Sequence, residues 1–241
     1  MRLIKSNKAK MGELKCADCM QVFKELADNS IDLIVTDPPY RTTPRGNAGS
    51  SGGMLQKEIN KKGQVFKYNN IDIKTYAKEC FRVLKDGSHF YLMCNHTNLQ
   101  HFLNTCSDAG FHFIKSLIWD KGNKITGQYY MSQFEYILFF RKGRGIKINN
   151  CSTPDILRVV NKKTKDPEGN NYHDTEKPVE LMEILISNSS KEGDLVFDPF
   201  CGIGAVQRAC YRLKRRYLCC DIDQSYIDVA NSLFKEELQW H

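Results

Sequence analysis

Several features are missing from this sequence, and each absence removes a class of protein. No run approaches the roughly 18 apolar residues that span a bilayer, and no apolar segment of the secretion-signal type follows Met1. Cys16 and Cys19 have metal-type spacing, but neither a second C-x-x-C nor a histidine pair accompanies them. We therefore expect a cytoplasmic protein that binds no membrane and no metal.

Cysteine is plentiful, with 10 residues that lie mostly inside apolar runs, where a free thiol behaves as a small hydrophobe. This usage fits a reducing compartment. The length of 241 residues and the 41% hydrophobic content suit one large α/β domain over residues 1–241.

The net charge of +7 is concentrated in one segment, where eight basic side chains face only one acidic residue, Asp155. These basic residues are Arg141, Lys142, Arg144, Lys147, Arg158, Lys162, Lys163 and Lys165. Because the rest of the chain sums to zero, the segment has the charge pattern of a phosphate-backbone binder. A solvated lysine-rich loop is the alternative interpretation.

Apolar periodicity predicts strands and helices in alternation. The predicted strands cover 12–15, 31–35, 88–94, 111–119, 132–141, 194–198 and 217–220. The predicted helices cover 16–27, 72–84, 98–109, 177–186, 206–213 and 224–234. This order predicts a Rossmann-like α/β fold: a mostly parallel twisted sheet with an antiparallel hairpin strand at 132–141 and helices on both faces. The glycine-rich stretch 41–66 is expected to be a mobile binding loop, and 143–172 is expected to be an insertion.

The motif Thr36-Asp37-Pro38-Pro39-Tyr40 ends the apolar run at 31–35. Two prolines stop a strand and offer carbonyls without competing N–H groups. The Asp37 carboxylate and the Pro38 carbonyl can accept both hydrogens of an exocyclic amine, while Tyr40 stacks on its ring. The pattern indicates a site for a flat amine, although a strand-ending turn with a surface Asp also fits it.

A second motif runs from Asp198 through Phe200, Cys201, Gly202 and Gly204 into a helix. Strand, glycine loop, helix and strand form a nucleoside-binding unit, and Asp221 ends the second strand, where it can accept ribose hydroxyls. Gln207 occupies the place of the third glycine of a dinucleotide fingerprint. Because the Asp198 carboxylate disfavours phosphate, the unit suits a cationic cofactor, S-adenosylmethionine.

These two motifs, in this order and with Lys177-Pro178 between them, resemble the amino-group DNA methyltransferases of the permuted β class over about residues 11–238. The resemblance implies a Rossmann-like methyltransferase fold in which Asp37, Pro38, Pro39 and Tyr40 hold a flipped base. It also implies a set of cofactor-binding residues: Asp18, Thr175, Lys177, Pro178, Asp198, Phe200, Cys201, Gly202, Gly204 and Asp221. The recognition region would be 143–172, with the basic side chains of 141–165 and Arg41 on double-stranded DNA.

The same resemblance leads us to expect a bacterial or phage enzyme, with a restriction endonuclease as a separate partner. The expected reaction is N6 methylation of adenine, because Asp before Pro-Pro-Tyr usually accompanies adenine in that family. N4 methylation of cytosine stays open, since Asp37 and Pro38 serve either amine. An RNA or protein-amide methyltransferase, a cytosine C5 enzyme using Cys201, and an inactive nucleic-acid-binding module are further alternatives. Monomer and homodimer both remain open.

Overall fold

The computed structural model describes residues 11–39, 72–125, 130–173 and 175–240. Its strands are β1 Gly12–Cys16, β2 Ile31–Thr36, β3 Leu84–Cys94, β4 His112–Ile125, β5 Ser132–Arg141, β6 Ile156–Arg158, β7 Leu195–Asp198 and β8 Arg216–Asp221. Its helices are α1 Cys19–Glu25, α2 Ile73–Val83, α3 Leu99–Asp108, α4 Val179–Ser189, α5 Ala205–Arg212 and α6 Gln224–Trp240. Across these residues, no helix is both long and apolar enough to cross a membrane.

The eight strands form one sheet in the order β1-β8-β7-β2-β3-β5-β4-β6. Every neighbouring pair is parallel except the two that β5 makes with β3 and β4. The predicted fold class and the antiparallel hairpin strand are therefore confirmed.

Helices cover both faces of the sheet, because the buried side chains of the central strands point to two separate cores. In β2, Ile34 packs into a core with α1, α2 and α3, whereas Leu33 and Val35 pack into a core with α4, α5 and α6. All three side chains are fully buried. The near-continuous apolar sequence of β2 is the pattern that a strand covered on both faces requires.

Several element boundaries differ from the prediction, and one strand was not predicted. α2 ends at Val83, and β3 begins directly at Leu84. β3 runs through Gly87, whose φ of +80° is a backbone conformation that favours glycine. β4 extends to Ile125, beyond the predicted end. β6 lies inside the stretch read as an insertion and pairs in parallel with β4. Three residues at a sheet edge carry too little periodicity to be found from sequence.

The topology creates a crevice at the carboxyl ends of β7 and β2. The chain leaves β7 through α5 toward β8, but leaves β2 through α2 toward β3, on the opposite side. Open α/β sheets bind ligands where the connections diverge in this way.

Candidate active site at the carboxyl edge of the sheet

A cavity of about 470 Å³ opens at this crevice. Ten of the residues predicted to form the site line it: Asp18, Asp37, Pro39, Thr175, Lys177, Asp198, Phe200, Cys201, Gly202 and Asp221. Pro38, Pro178 and Gly204 are not among the lining residues. Tyr40, Arg41 and the predicted loop at 41–66 lie outside the described residues. Both sequence motifs therefore open onto one cavity.

The glycine loop keeps backbone close to the cavity. Gly202 and Gly204 have φ values of +49° and +81°, which favour glycine. A Cβ on Gly202 would lie 3.4 Å from Nε2 of His173, in van der Waals contact with the ring, so it is the positive φ that favours glycine here. Gln207, in the place of the third glycine, is buried and donates from its amide to the Tyr217 hydroxyl at 3.3 Å. Gln207 therefore has a structural role.

Two carboxylates on this side of the cavity are held by backbone N–H groups. Asp221 accepts from the N–H groups of Gly202 and Asp223, each at 3.0 Å, and Asp198 accepts from the N–H of Phe200 at 3.1 Å. Burial raises the pKa of Asp198 to about 7 and also raises the pKa of Asp221. In the part of the chain that the structure describes, neither carboxylate forms an ion pair. The missing positive charge fits a ligand that brings a sulfonium and an ammonium.

Asp18 and Pro178 hold the ends of two helices beside the cavity. Asp18 is the N-cap of α1, and its side chain accepts from the N–H of Met20 at 2.8 Å. Pro178 is the N-cap residue of α4 and directly follows Lys177. A capping carboxylate at the cavity wall can still accept from a ligand with its second oxygen.

The other side of the cavity is built around Asp37. One carboxylate oxygen, Oδ2, accepts a short hydrogen bond from Nζ of Lys177, which also donates to the Thr175 carbonyl at 3.1 Å. The second oxygen, Oδ1, is buried and has no hydrogen-bond partner among the described residues. Burial raises the pKa of Asp37, with the Lys177 ammonium opposing it. Oδ1 is therefore an acceptor available to a donor entering the cavity, such as an amine.

Two more charged side chains complete this cluster, and the sequence analysis missed both. Glu135 Oε2 lies 3.7 Å from Nζ of Lys177, and Glu135 Oε1 lies 3.1 Å from Nζ of Lys121. Burial disfavours charge here, but Lys177 and Lys121 outweigh it and lower the pKa of Glu135. A single Glu in a strand resembles a solvent-facing residue, so sequence offered no signal for it.

His173 is a third residue that sequence reasoning missed. Its Nδ1 accepts from the N–H of Thr175 at 3.2 Å, and its ring centroid lies 4.4 Å from that of Tyr226. Burial lowers the pKa of His173 to about 4, so the ring is neutral and carries its proton on Nε2. His173 lines the cavity beside Gly202 and offers a donor there. Its position two residues before Thr175, a predicted site residue, is the sequence signal that could have identified it.

The basic segment is divided in two by the structure. Lys142 was predicted to bind DNA, but its ammonium donates to the carbonyls of Phe81 and Leu84 and to Asn29 at 2.6 to 2.8 Å. It also lies 4.7 Å from the centre of the Phe81 ring. This assignment is wrong, because the charge is already used to join β5 to α2.

Lys163 also turns inward, donating to the Glu176 carbonyl at 2.5 Å. Burial, reinforced by Lys177, lowers its pKa to about 8. Lys163 therefore supports Glu176, a residue of the cavity wall, with its ammonium turned away from a phosphate-binding surface. Arg141 is half-buried and donates to the Gly143 carbonyl. Five predicted DNA-binding side chains remain exposed: Arg144, Lys147, Arg158, Lys162 and Lys165.

Comparison with known proteins places this geometry in context. A family model described as DNA methylase matches residues 31–232. The type II methyltransferase M.HinfI of Haemophilus influenzae is 28% identical over 91% of this chain and 67% of its own length. M.HpaI of Haemophilus parainfluenzae is 29% identical over 93% and 74%. M2.DpnII of Streptococcus pneumoniae is 26% identical over 96% and 92%.

Solved structures share the fold. The complex of M1.HpyAVI with SAM has a TM-score of 0.68 and 21% identity, covering 92% of this chain and 98% of the other. The PvuII DNA methyltransferase, described as cytosine-N4-specific, has a TM-score of 0.71 and 16% identity, covering 95% and 90%.

Proposed function

Because the chain belongs to the DNA methylase family N6_N4_Mtase, we propose that it methylates the exocyclic N6 amine of an adenine flipped out of double-stranded DNA. The chain is an S-adenosylmethionine-dependent DNA methyltransferase of Rossmann-like fold. The observation that carries the choice of an amine is the buried, unpartnered Oδ1 of Asp37 at the cavity wall.

The cofactor supplies a methyl group that is already activated on a sulfonium. Asp221 is proposed to accept from the ribose hydroxyls, and Asp198 to balance the positive charge of the ligand. His173, with its proton on Nε2, adds a donor toward the same ligand. These residues bind and orient the cofactor, and the step that remains is activation of the target amine.

Asp37 is proposed to activate that amine. The nitrogen of an aromatic amine shares its lone pair with the ring, so it must be drawn toward tetrahedral geometry before it can attack. Oδ1 of Asp37 and the carbonyl of Pro38 can accept its two hydrogens and stabilise positive charge as it develops. Pro38 and Pro39 carry no N–H that would compete for these acceptors.

Adenine is favoured over cytosine by the first residue of the motif. Asp37 accepts with a full charge, which draws the amine out of conjugation more strongly than a hydroxyl would, and a purine stacks more area on Tyr40. Methylation at cytosine C5 needs a thiolate, but Cys201 is buried and its thiol pKa is raised well above the usual range by that burial. Cys201 is therefore excluded as the nucleophile.

Nucleoside mass spectrometry tests the substrate. Duplex DNA is incubated with the purified protein and S-adenosylmethionine carrying an isotopically labelled methyl group, then digested to nucleosides. We expect labelled N6-methyl-2′-deoxyadenosine, and none with Asp37→Asn. Labelled N4-methyl-2′-deoxycytidine alone would contradict adenine and leave the role of Asp37 intact.

Recognition is proposed to lie in residues 143–172, supported by the exposed Arg144, Lys147, Arg158, Lys162 and Lys165. The relatives are named type II methyltransferases, which supports pairing with a separate restriction endonuclease. Mapping modified bases in the DNA of cells that express the protein would give the recognised sequence.

A further inference from the structure

Glu135 is a charged side chain at the active site for which the methyl-transfer scheme gives no role. It lies on β5, whereas Asp37 follows β2, and its Oε2 atom is buried without a hydrogen-bond partner in the part of the chain that the structure describes. Its two oxygens face two lysines, Lys177 at 3.7 Å and Lys121 at 3.1 Å. Both lysines are nearly inaccessible, at 9% and 4% exposure. Holding so much charge away from water is costly unless the charges serve one another.

We propose that Glu135 is a positioning residue for methyl transfer, which holds Lys177 on one oxygen of Asp37 and so leaves the other oxygen free for the target amine. The inference rests on the proposed role of Asp37.

The donor geometry of Lys177 supports this assignment. An ammonium has three donors, and two of them are used by Oδ2 of Asp37 and the carbonyl of Thr175. Glu135 Oε2, 3.7 Å from Nζ, attracts the remaining positive charge toward itself and so competes with Oδ1 for the third donor. Without that attraction, Asp37 would be the one anion beside Lys177 in the cluster, and the ammonium could bridge both of its oxygens.

Charge balance supports it as well. A carboxylate neutralised by its own lysine stabilises a developing positive charge poorly. Because the Lys177 ammonium also interacts with Glu135, it neutralises Asp37 less completely, and Asp37 keeps more of its negative charge. Lys121, whose Nζ also lies 5.8 Å from the centre of the Trp119 ring, fixes Glu135 from the far side and directs Oε2 toward Lys177.

The effect of Glu135 on Lys177 has a pH signature. Burial disfavours the charge on Lys177, yet Asp37 and Glu135 outweigh burial and raise its pKa. Removing the charge of Glu135 lowers that pKa, so activity that needs the ammonium is lost at a lower pH. Within the described residues, Asp37, Glu135, Lys163 and His173 interact electrostatically with Lys177, whereas the Glu176 carboxylate pairs with Arg208 and Lys121 pairs with Glu135. Because Lys163 titrates near 8 itself, the profile is also measured in a Lys163→Gln background.

The experiment measures single-turnover methyl transfer to duplex DNA from pH 6 to about 11, because the pKa of Lys177 in the wild type is raised above the usual lysine value of about 10.4. For Glu135→Gln we expect a rate about ten- to a hundredfold below that of the wild type, S-adenosylmethionine affinity within several-fold, and an alkaline limb displaced to lower pH. Glu135→Asp should restore part of the rate and move the alkaline limb of the pH profile part of the way back toward that of the wild type. Glu192→Gln, which removes an exposed carboxylate paired with Lys214 outside both the site and the proposed recognition region, is the matched control and should match the wild type.

A double variant separates positioning from folding. Glu135→Gln leaves Lys121 without its counter-charge and can destabilise the chain, whereas Lys121→Gln with Glu135→Gln removes both charges. The double variant should keep the slow rate and the displaced limb. A wild-type rate in the double variant, or an equal loss at every pH, would overturn the proposal. An active Glu135→Gln beside an inactive Asp37→Ala would contradict Glu135 alone. An active Asp37→Ala would contradict both.

Discussion

The two walls of the cavity treat buried carboxylates in opposite ways. On the cofactor wall, Asp198 and Asp221 are held by backbone N–H groups and, within the described residues, form no ion pair. On the catalytic wall, Asp37 pairs with Lys177, and Lys177 is followed beyond the lining residues by Glu135 and then Lys121. Among the described residues, the carboxylates of the cofactor wall have no cationic partner, whereas the carboxylate of the catalytic wall has one.

The difference follows from what each wall binds. A cationic cofactor brings its own counter-charge, so Asp198 and Asp221 need only fixed dipoles that keep them oriented. A target amine is neutral when it enters and gains charge only as it reacts, so Asp37 must be organised beforehand by groups of the protein itself. Residues on the two walls should therefore fail in different assays.

Asp37→Ala should give the largest effect. Loss of one preorganised electrostatic partner lowers turnover by roughly two to three orders of magnitude, while cofactor affinity stays within several-fold. Single-turnover rates and calorimetry on the same preparation measure both. Near wild-type turnover would remove Asp37 from the chemistry.

Asp221→Ala should reverse this pattern. A lost charge-assisted hydrogen bond to ribose weakens S-adenosylmethionine binding by about 1.5 to 3 kcal/mol, or roughly 10- to 150-fold. Calorimetry measures the affinity, and Asp37→Ala serves as the control that retains it. Unchanged affinity would reduce the Asp221 contacts with Gly202 and Asp223 to a structural role.

Asp198 should make cofactor binding depend on pH. Its pKa of about 7 means that the carboxyl is neutral below that value, and a cation prefers the ionised form. Affinity should fall roughly tenfold from pH 7.5 to 5.5, below the titration of the ligand's α-amino group. Asp198→Asn should flatten the curve. A variant with the wild-type slope would assign the titration to another group.

The smallest effect is expected at the exposed lysines. Lys162→Gln with Lys165→Gln should flatten log affinity for DNA against log salt by up to about 0.9 for each phosphate that is no longer neutralised. Lys142→Gln is the matched control, since its inward ammonium should affect stability and leave the slope unchanged. An unchanged slope in the double variant would return Lys162 and Lys165 to a solvated loop.

Much of the fold was predictable because local signals and the final structure agree. Prolines end β2, glycines begin α5, and apolar runs mark strands that are buried on both faces. β6 was missed because three residues in an irregular segment are too few to show a hydrophobic periodicity. The extent of β3 was missed because Asp86-Gly87 reads as a turn, although here it continues a strand that shifts register against β2.

The site was only partly predictable, because sequence shows which charges exist and not which way they face. Lys142 and Lys163 count as positive residues in a basic segment, yet both ammoniums turn inward to carbonyl oxygens. Lys177 was predicted to bind the cofactor; it lines the cavity, and its contact with Asp37, far away in the chain, was not predicted. Glu135 became a candidate only when β5 placed it beside Lys177.

The position of β7 also determines when the protein can assemble. Leu33 in β2 pairs with Val196 in β7, and Gly12 in β1 pairs with Tyr217 in β8. During synthesis, β2 can pair with β3, and β3 with β5, but the other edge of β2 has no strand until residues 195–198 leave the ribosome. That open edge presents the unpaired backbone N–H and C=O groups of Leu33 and Ile34, a template for pairing with other chains. Nascent chains are therefore most exposed to aggregation just before the cofactor wall is made.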